Sequence, residues 1–332
     1  MIKIYKTNES NMIERVDEVI DNCWIDLVSP TKEEIEVVSL KTGIDKDLIL
    51  KMLDEEETPR FEKEDDSTLI VIDSPYIGDD NVKYSTLPLG IITGSNKHIL
   101  TISSQKLEVL KLFKRGKIKD INTSLRSRLT IQILYENAKL YLKYLRMIDK
   151  EIDKTEKELH SLSENEELIN VLNIEKSLVY FITSLKENKR VIEKINRGNV
   201  IPMYEEDLDL LEDASIENEQ ASEMANIYRE ILSSVSDTYA TLISNNLNIA
   251  MKILTSITII FSVPTMVASF LGMNVHLGII SDLKYGFLII IGFCVIVSII
   301  IALIFKKKKL SNVYFFLNSM PLRCVQLKLW WT

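Results

Sequence analysis

One stretch of this chain carries oxygen atoms along a single face. Asp237, Thr241, Ser244, Asn248, Met251, Thr255, Thr258, Ser262, Thr265 and Ser269 follow one another at alternating steps of four and three, and nine of these ten residues are polar. On a helix, that spacing places them all on one stripe. Oxygen donors suit a cation such as Mg2+, which prefers oxygen ligands and gives up its water reluctantly. Just past the stripe stands Gly272-Met273-Asn274. Taken alone, Gly-x-Asn is a helix end, because glycine and asparagine best tolerate positive φ. Beyond a polar stripe it has a second use, as a ring of amide oxygens accepting hydrogen bonds from the hydration shell of an entering ion.

Small residues every three or four positions also let helices pack closely. Packing alone leaves unexplained why the stripe continues through Asn248 to Asp237. Copies of Asp237 facing one axis would repel unless cations lay between them. The stripe therefore reads as the wall of a water-filled, cation-conducting lumen enclosed by copies of one helix.

The elements that must position these residues are legible. Two uncharged runs, 253–271 and 285–305, hold 19 and 21 residues. As helices they rise roughly 28 to 32 Å, enough to cross a hydrocarbon core. The first reads as a pore-lining span, 272–284 as an external loop, and the second as an outer span. Lys252 precedes the first span, and Lys306, Lys307, Lys308 and Lys309 follow the second, while the loop holds only Lys284. This asymmetry predicts cytoplasmic termini, with the basic residues at the inner membrane edge. The first residues lack the apolar core of a secretory signal, so the preceding 250 residues are expected to stay where they are made. Cys23, Cys294 and Cys324 are far apart and predict neither disulfide nor metal site; His98, His160 and His276 are equally scattered.

Residues 1–120 read as an α/β domain, with strands expected at 2–5, 24–28, 68–72, 87–92 and 98–102. Helices are expected from Ser29 as N-cap to Gly43, over about 45–54, and over about 107–115. Residues 121–200 read as a helical hairpin, long and amphipathic, broken near Ser163-Glu164-Asn165. From 205 to 271, a single helix of 67 residues is expected: a cytoplasmic stalk over 201–252, then the first span. Ala221, Met224, Tyr228, Ile231 and Val235 form a seam at steps of three and four, which calls for neighbouring copies. The fold class is thus an α+β cytoplasmic domain with a long-helix stalk and two transmembrane helices.

With Gly-Met-Asn at the end of the first of two C-terminal spans, the chain resembles the CorA family of magnesium channels. Trp24-Ile25-Asp26-Leu27, the hairpin, the stalk, Met251-Lys252-Ile253-Leu254-Thr255 and the closing lysines extend the likeness over most of its length. The resemblance implies a funnel-shaped homopentamer in the plasma membrane, with self and membrane lipid as partners. It places Asn274 in the outer selectivity ring, shaped by Gly272 and Met273. Asn248, Met251 and Leu254 would line the inner pore and its hydrophobic constriction, and Asp237 the stalk lumen. It also implies regulatory Mg2+ between subunits, with Asp213 on the stalk and Asp79 or Asp80 on the neighbour. Family members commonly carry Tyr before the motif and Phe after it; here stand Leu271 and Val275. In place of a Met-Pro-Glu segment the outer loop reads from Val275 to Asp282. Residues 310–332 extend past the usual family end and are expected to be non-native and without function.

Nine acids and no Lys or Arg lie between Ile201 and Tyr228. Brought together fivefold they would repel, so bound divalent cations could hold the bundle closed, a negative feedback by cytosolic Mg2+. No phosphate-binding Gly-rich loop ends in Gly-Lys-Ser/Thr, and nothing calls for an organic cofactor, a nucleic acid or enzymatic chemistry. The expected function is potential-driven uptake of Mg2+, with Co2+ or Ni2+ also admitted. Two alternatives are an exporter of zinc or another divalent ion from the same superfamily, and a membrane-anchored coiled-coil scaffold.

Overall fold

The computed structural model describes residues 1–9, 12–64, 67–78, 82–94, 97–161, 165–198, 201–273 and 285–307. The chain divides into two compact units, Met1–Ser236 and Asp237–Thr332.

The first unit is built on a seven-stranded sheet. Its strands are β1 (Ile2–Thr7), β2 (Ile13–Val16), β3 (Trp24–Val28), β4 (Arg60–Glu64), β5 (Ser67–Ile77), β6 (Tyr84–Thr93) and β7 (Ile99–Ser103). They lie in the order β2-β1-β3-β7-β6-β5-β4, with β3 and β7 parallel and every other pair antiparallel. The five expected strands are present, with β5 and β6 longer than expected. The two edge strands, β2 and β4, were not anticipated. Their sequences, Ile-Glu-Arg-Val and Arg-Phe-Glu-Lys-Glu, carry the charge by which sheet edges resist pairing with other chains.

Helices cover both sheet faces, and β3 shows how the two-residue period serves each. Ile25 and Leu27 join a core with Ile35 and Val38 of α1 (Lys32–Thr42) and Leu48 and Ile49 of α2 (Lys46–Lys51). Trp24 and Asp26 meet α3 (Glu108–Lys114) instead: the Trp24 ring stands edge-on to Phe113 at 6.3 Å, and Lys114 pairs with Asp26. Asp26 is 1% exposed, and its other oxygen accepts from the Thr101 hydroxyl, which accepts in turn from the Trp24 indole N–H. A buried carboxylate is tolerable here because both of its oxygens are met.

Gly90 sits in β6 beneath the end of α2. A Cβ there would come within 2.6 Å of Met52 Cγ, so the missing side chain is what lets fully buried Met52 lie on the sheet. Helix α1 corrects the expected cap. Ser29 has φ of 43°, and the N-cap is Thr31, which forms a capping box with Glu34. Reciprocal bonds of this kind satisfy two otherwise orphan N–H groups, so they outcompete Ser29-Pro30. Gly43 closes the helix at φ 68°, as expected.

Helices α4 (Arg126–Ser161) and α5 (Asn165–Gly198) form the hairpin. They are tied to the sheet through Asp73 of β5. Asn137 and Asn188 side chains and the Tyr141 hydroxyl all donate to the Asp73 carbonyl, and Ser184 Oγ donates to its carboxylate at 2.6 Å. Helix α6 (Glu205–Leu271) is a single run of 67 residues. Its first part turns Leu211, Ala214, Asn218, Ala221 and Ala225 inward, and the Asn218 amide donates to the Leu185 carbonyl at 3.0 Å. The expected seam is therefore split. Ala221 is fully buried within its own chain, whereas Ile231 is 42% exposed.

In the second unit, the remainder of α6 lies beside α7 (Gly286–Lys307), and Pro264 stands inside α6. A groove of about 830 Å³ between them is walled by apolar side chains including Val267, Leu271, Phe287 and Ile291. By length and composition, three helices could cross a membrane: Leu168–Gly198, Glu205–Leu271 and Gly286–Phe305. The apolar window of the first is 39% buried inside the chain, against 6% for each of the other two. Packing against the sheet accounts for the apolar character of α5, and only the other two leave theirs unsatisfied.

Candidate ion pathway

The stripe is one exposed face of α6, and residues off it such as Leu247, Phe261 and Phe270 are exposed as well. All ten residues from Asp237 to Ser269 are exposed, while Ser256, off the stripe, is 5% exposed. Thr241, Thr258 and Thr265 each donate their hydroxyl proton to the carbonyl four residues back, and Ser262 donates to the carbonyl three back, at 2.8 to 3.0 Å. A hydroxyl so engaged has spent its donor on its own helix. What it turns outward is lone pairs, an acceptor surface suited to the protons of an ion's hydration shell. Thr258, Ser262, Thr265 and Ser269 line a shallow groove of about 610 Å³ along this face. Met251, 65% exposed, interrupts the polar stripe with Leu254 beside it 66% exposed, and Asn248, Ser244, Thr241 and Asp237 continue it beyond.

At the far end, the Gly272 N–H donates to Ala268 at 3.0 Å and the Met273 N–H to Phe270 at 3.3 Å, finishing the helix. Gly272 is not among the positive-φ glycines, Gly43 and Gly116. A Cβ there would meet only ordinary contacts at 3.5 and 3.6 Å within the chain. Gly272 does not use the positive φ open to it, and no crowding among the described residues demands a glycine there. Asn274, Asp79, Asp80, Lys308 and Lys309, and the side chain of Lys306, lie outside the described residues, as does the tail from 310. Lys252 and Lys307 are exposed.

The acid run is more varied than a solvated face. Asp207 is 2% exposed; its carboxylate accepts the Tyr204 N–H at 3.1 Å and faces Arg128 at 3.5 Å. Arg128 also meets Glu206 at 3.0 Å, and Lys189 meets Glu219 at 2.7 Å. These hairpin bases lie 30 to 79 residues away in sequence, beyond the reach of local charge patterning. Glu205, Asp209, Glu212, Asp213 and Glu223 remain exposed. Among the described residues, no three His, Cys, Asp or Glu side chains converge on a point where one chain could hold a metal. Sequence patterning also gave no sign of the Asp73 node. Burial there lifts the carboxyl to about 6 from an ordinary 3.8; the Ser184 bond opposes that rise and the charge of Glu187 adds to it.

Comparison with known proteins agrees with this architecture. The family described as "CorA-like Mg2+ transporter protein" matches residues 21–307. The cobalt/magnesium transport protein CorA of Methanocaldococcus jannaschii is 31% identical over 293 residues, covering 86% of this chain and 90% of that protein. The complete structure of the CorA magnesium transporter from the same organism superposes with a TM-score of 0.79 at 29% identity, over 92% of this chain and 97% of that one. The cytoplasmic domain of ZntB from Vibrio parahaemolyticus shares the fold at 11% identity, with a TM-score of 0.59, over 73% of this chain and 98% of that domain. Members of the matched family are ion transporters or channels and not enzymes, and the chain, matched over most of its length, belongs to this family of divalent-cation transporters.

Proposed function

We propose that this chain assembles as a homopentamer in the plasma membrane and conducts Mg2+ passively into the cell, with Co2+ or Ni2+ following the same path. The observation that carries this reading is the acceptor stripe: ten exposed positions in one rhythm, four of whose hydroxyls have spent their protons on their own helix. Five such faces around an axis would offer a hydrated cation oxygens in place of bulk water, with no need to strip its shell. Asn274 would form the outer ring, shaped by Gly272 and Met273; Met251 and Leu254 would form a constriction that opens by wetting. Gly272 then keeps five helix ends close together, a demand arising only between chains. Lys252 and the lysines from Lys306 to Lys309 would sit at the inner membrane edge, leaving both termini cytoplasmic. An inside-negative potential contributes about 4.6 kcal/mol per 100 mV to a divalent ion, sufficient to drive entry.

Asp213, exposed and without converging ligands among the described residues of its own chain, supports a regulatory Mg2+ shared with Asp79 or Asp80 of a neighbouring subunit. Reconstitution tests the central claim. In liposomes holding a Mg2+ indicator, the wild-type chain should pass Mg2+ down an imposed potential, and Asn274→Ala should reduce that flux. Undiminished flux in the variant removes Asn274 from selectivity. Flux of Zn2+ without Mg2+ favours the exporter, and no divalent flux at all favours a scaffold.

A further inference from the structure

A second, chemically different cavity lies in the first unit, between the end of β5, the start of α3 and the middle of α4. Its volume is about 320 Å³, and its walls include Tyr76, Lys106, Glu108, Lys111, Lys143 and Tyr144. Three lysines and one glutamate line it, and that glutamate is already engaged by Lys111 at 2.9 Å. Lys106 and Lys143 have no carboxylate within 4.0 Å among the described residues. Lys106 and Lys143 are exposed, and their charges bias the cavity toward an anion.

Tyr144 supplies an independent sign. It is 4% exposed and lines the cavity, yet its hydroxyl has no hydrogen-bond partner among the described residues. Its ring is held 6.1 Å from Tyr84, so the phenol is fixed in place. Burial, aided by the charge of Glu108, pushes the group up to about 12, so it stays protonated and must donate. The hydroxyl itself is not closed off from solvent, so its proton is free to meet an acceptor that enters the cavity. Neither the acceptor stripe nor the acidic stalk has any use for this constellation.

We infer that the cavity walled by Lys106, Lys111, Lys143 and Tyr144 binds a phosphate-bearing small molecule. Phosphate oxygens accept charge-assisted bonds from the three ammonium groups and the phenol proton, and the Tyr76 ring provides a flat wall for whatever the phosphate carries. The cavity size suits a diphosphate or a small nucleotide rather than a long polyanion. This binding does not depend on the conduction reading, and its test needs no flux.

Titration calorimetry on the full chain in detergent, stripped of divalent ions, should show saturable binding of pyrophosphate. ADP as a second probe distinguishes a site for the phosphates alone from one that also stacks a base. Lys106→Ala with Lys143→Ala should weaken binding about tenfold or more, since each charged hydrogen bond contributes on that order. Both lysines are exposed, so the fold should survive. Tyr144→Phe keeps the ring and should weaken binding severalfold, whereas Glu108→Gln, which removes the opposing charge, should tighten it. A wild type without saturable binding to either probe overturns the inference. So does binding that the double lysine variant leaves unchanged.

Discussion

Asp73 is a single residue on which one strand and two helices converge, three bonds meeting its main-chain carbonyl and one, from Ser184, its carboxylate. Its native proton affinity is raised, so the folded chain holds that proton more tightly than the unfolded chain does. Below about pH 4 both states are protonated and the group contributes nothing. As pH rises from about 4 through 6, the unfolded state ionises first and the native state loses stability, and above that window the loss is constant. Asp73→Asn should therefore raise stability by about 1 to 3 kcal/mol at pH 7.5, and the gain should vanish by pH 4. Thermal unfolding of the two proteins across that range checks it; a gain independent of pH would assign the effect to packing. Nothing local marked this residue, because its partners Asn137, Tyr141, Ser184 and Asn188 lie 64 to 115 residues further on. The Thr31 cap, by contrast, was legible. Thr31-x-x-Glu34 is a capping box in plain sequence, passed over for the more familiar Ser29-Pro30.

Elements that bury an apolar face declared themselves, and those that do not stayed silent. Strands β3, β5, β6 and β7 are β-branched and apolar because helices cover them; β2 and β4 are charged edges, and charge hides a strand from pattern reading. The seam on α6 is split for a related reason: a three-four rhythm says that a face is covered, not by which chain, and only its Ala221 end is buried within its own chain. The stripe leaves a similar choice, since hydroxyls bonded back to their own helix can face another helix as well as a lumen. Thr258→Val with Thr265→Val keeps side-chain shape and removes two outward acceptors. Flux in liposomes should fall about tenfold, the scale of losing hydrogen bonds to a charged shell. Ser256→Ala, which also loses a bond back to its helix but lies off the stripe, should change flux less than twofold. Equal effects of the two changes would mean that the hydroxyls serve the helix and not an ion.

For the whole molecule, the described residues of one chain leave an acceptor stripe and the exposed acids Glu205, Asp209, Glu212, Asp213 and Glu223 without a basic partner. If copies share Mg2+ at Asp213, removing divalent ions should loosen the assembly: trypsin should cleave the detergent-solubilised protein severalfold faster in chelator than in millimolar Mg2+. Asp213→Asn, which adds no trypsin site, should cut fast in both. Identical cleavage under all four conditions would rule out a structural role for the ion. The parallel pairing of β3 with β7 carries a consequence in time rather than space. Trp24 meets Ile99, so the edge of β3 waits about 75 residues for its partner. At 5 to 20 residues per second, that is roughly 4 to 15 s of synthesis with an apolar strand unpaired. During this interval the growing chain is most open to wrong pairings. Every strand of the sheet has nevertheless left the peptidyl-transferase centre some 150 residues before the first apolar run of α6 is made, so the sheet can close before any segment needs a membrane.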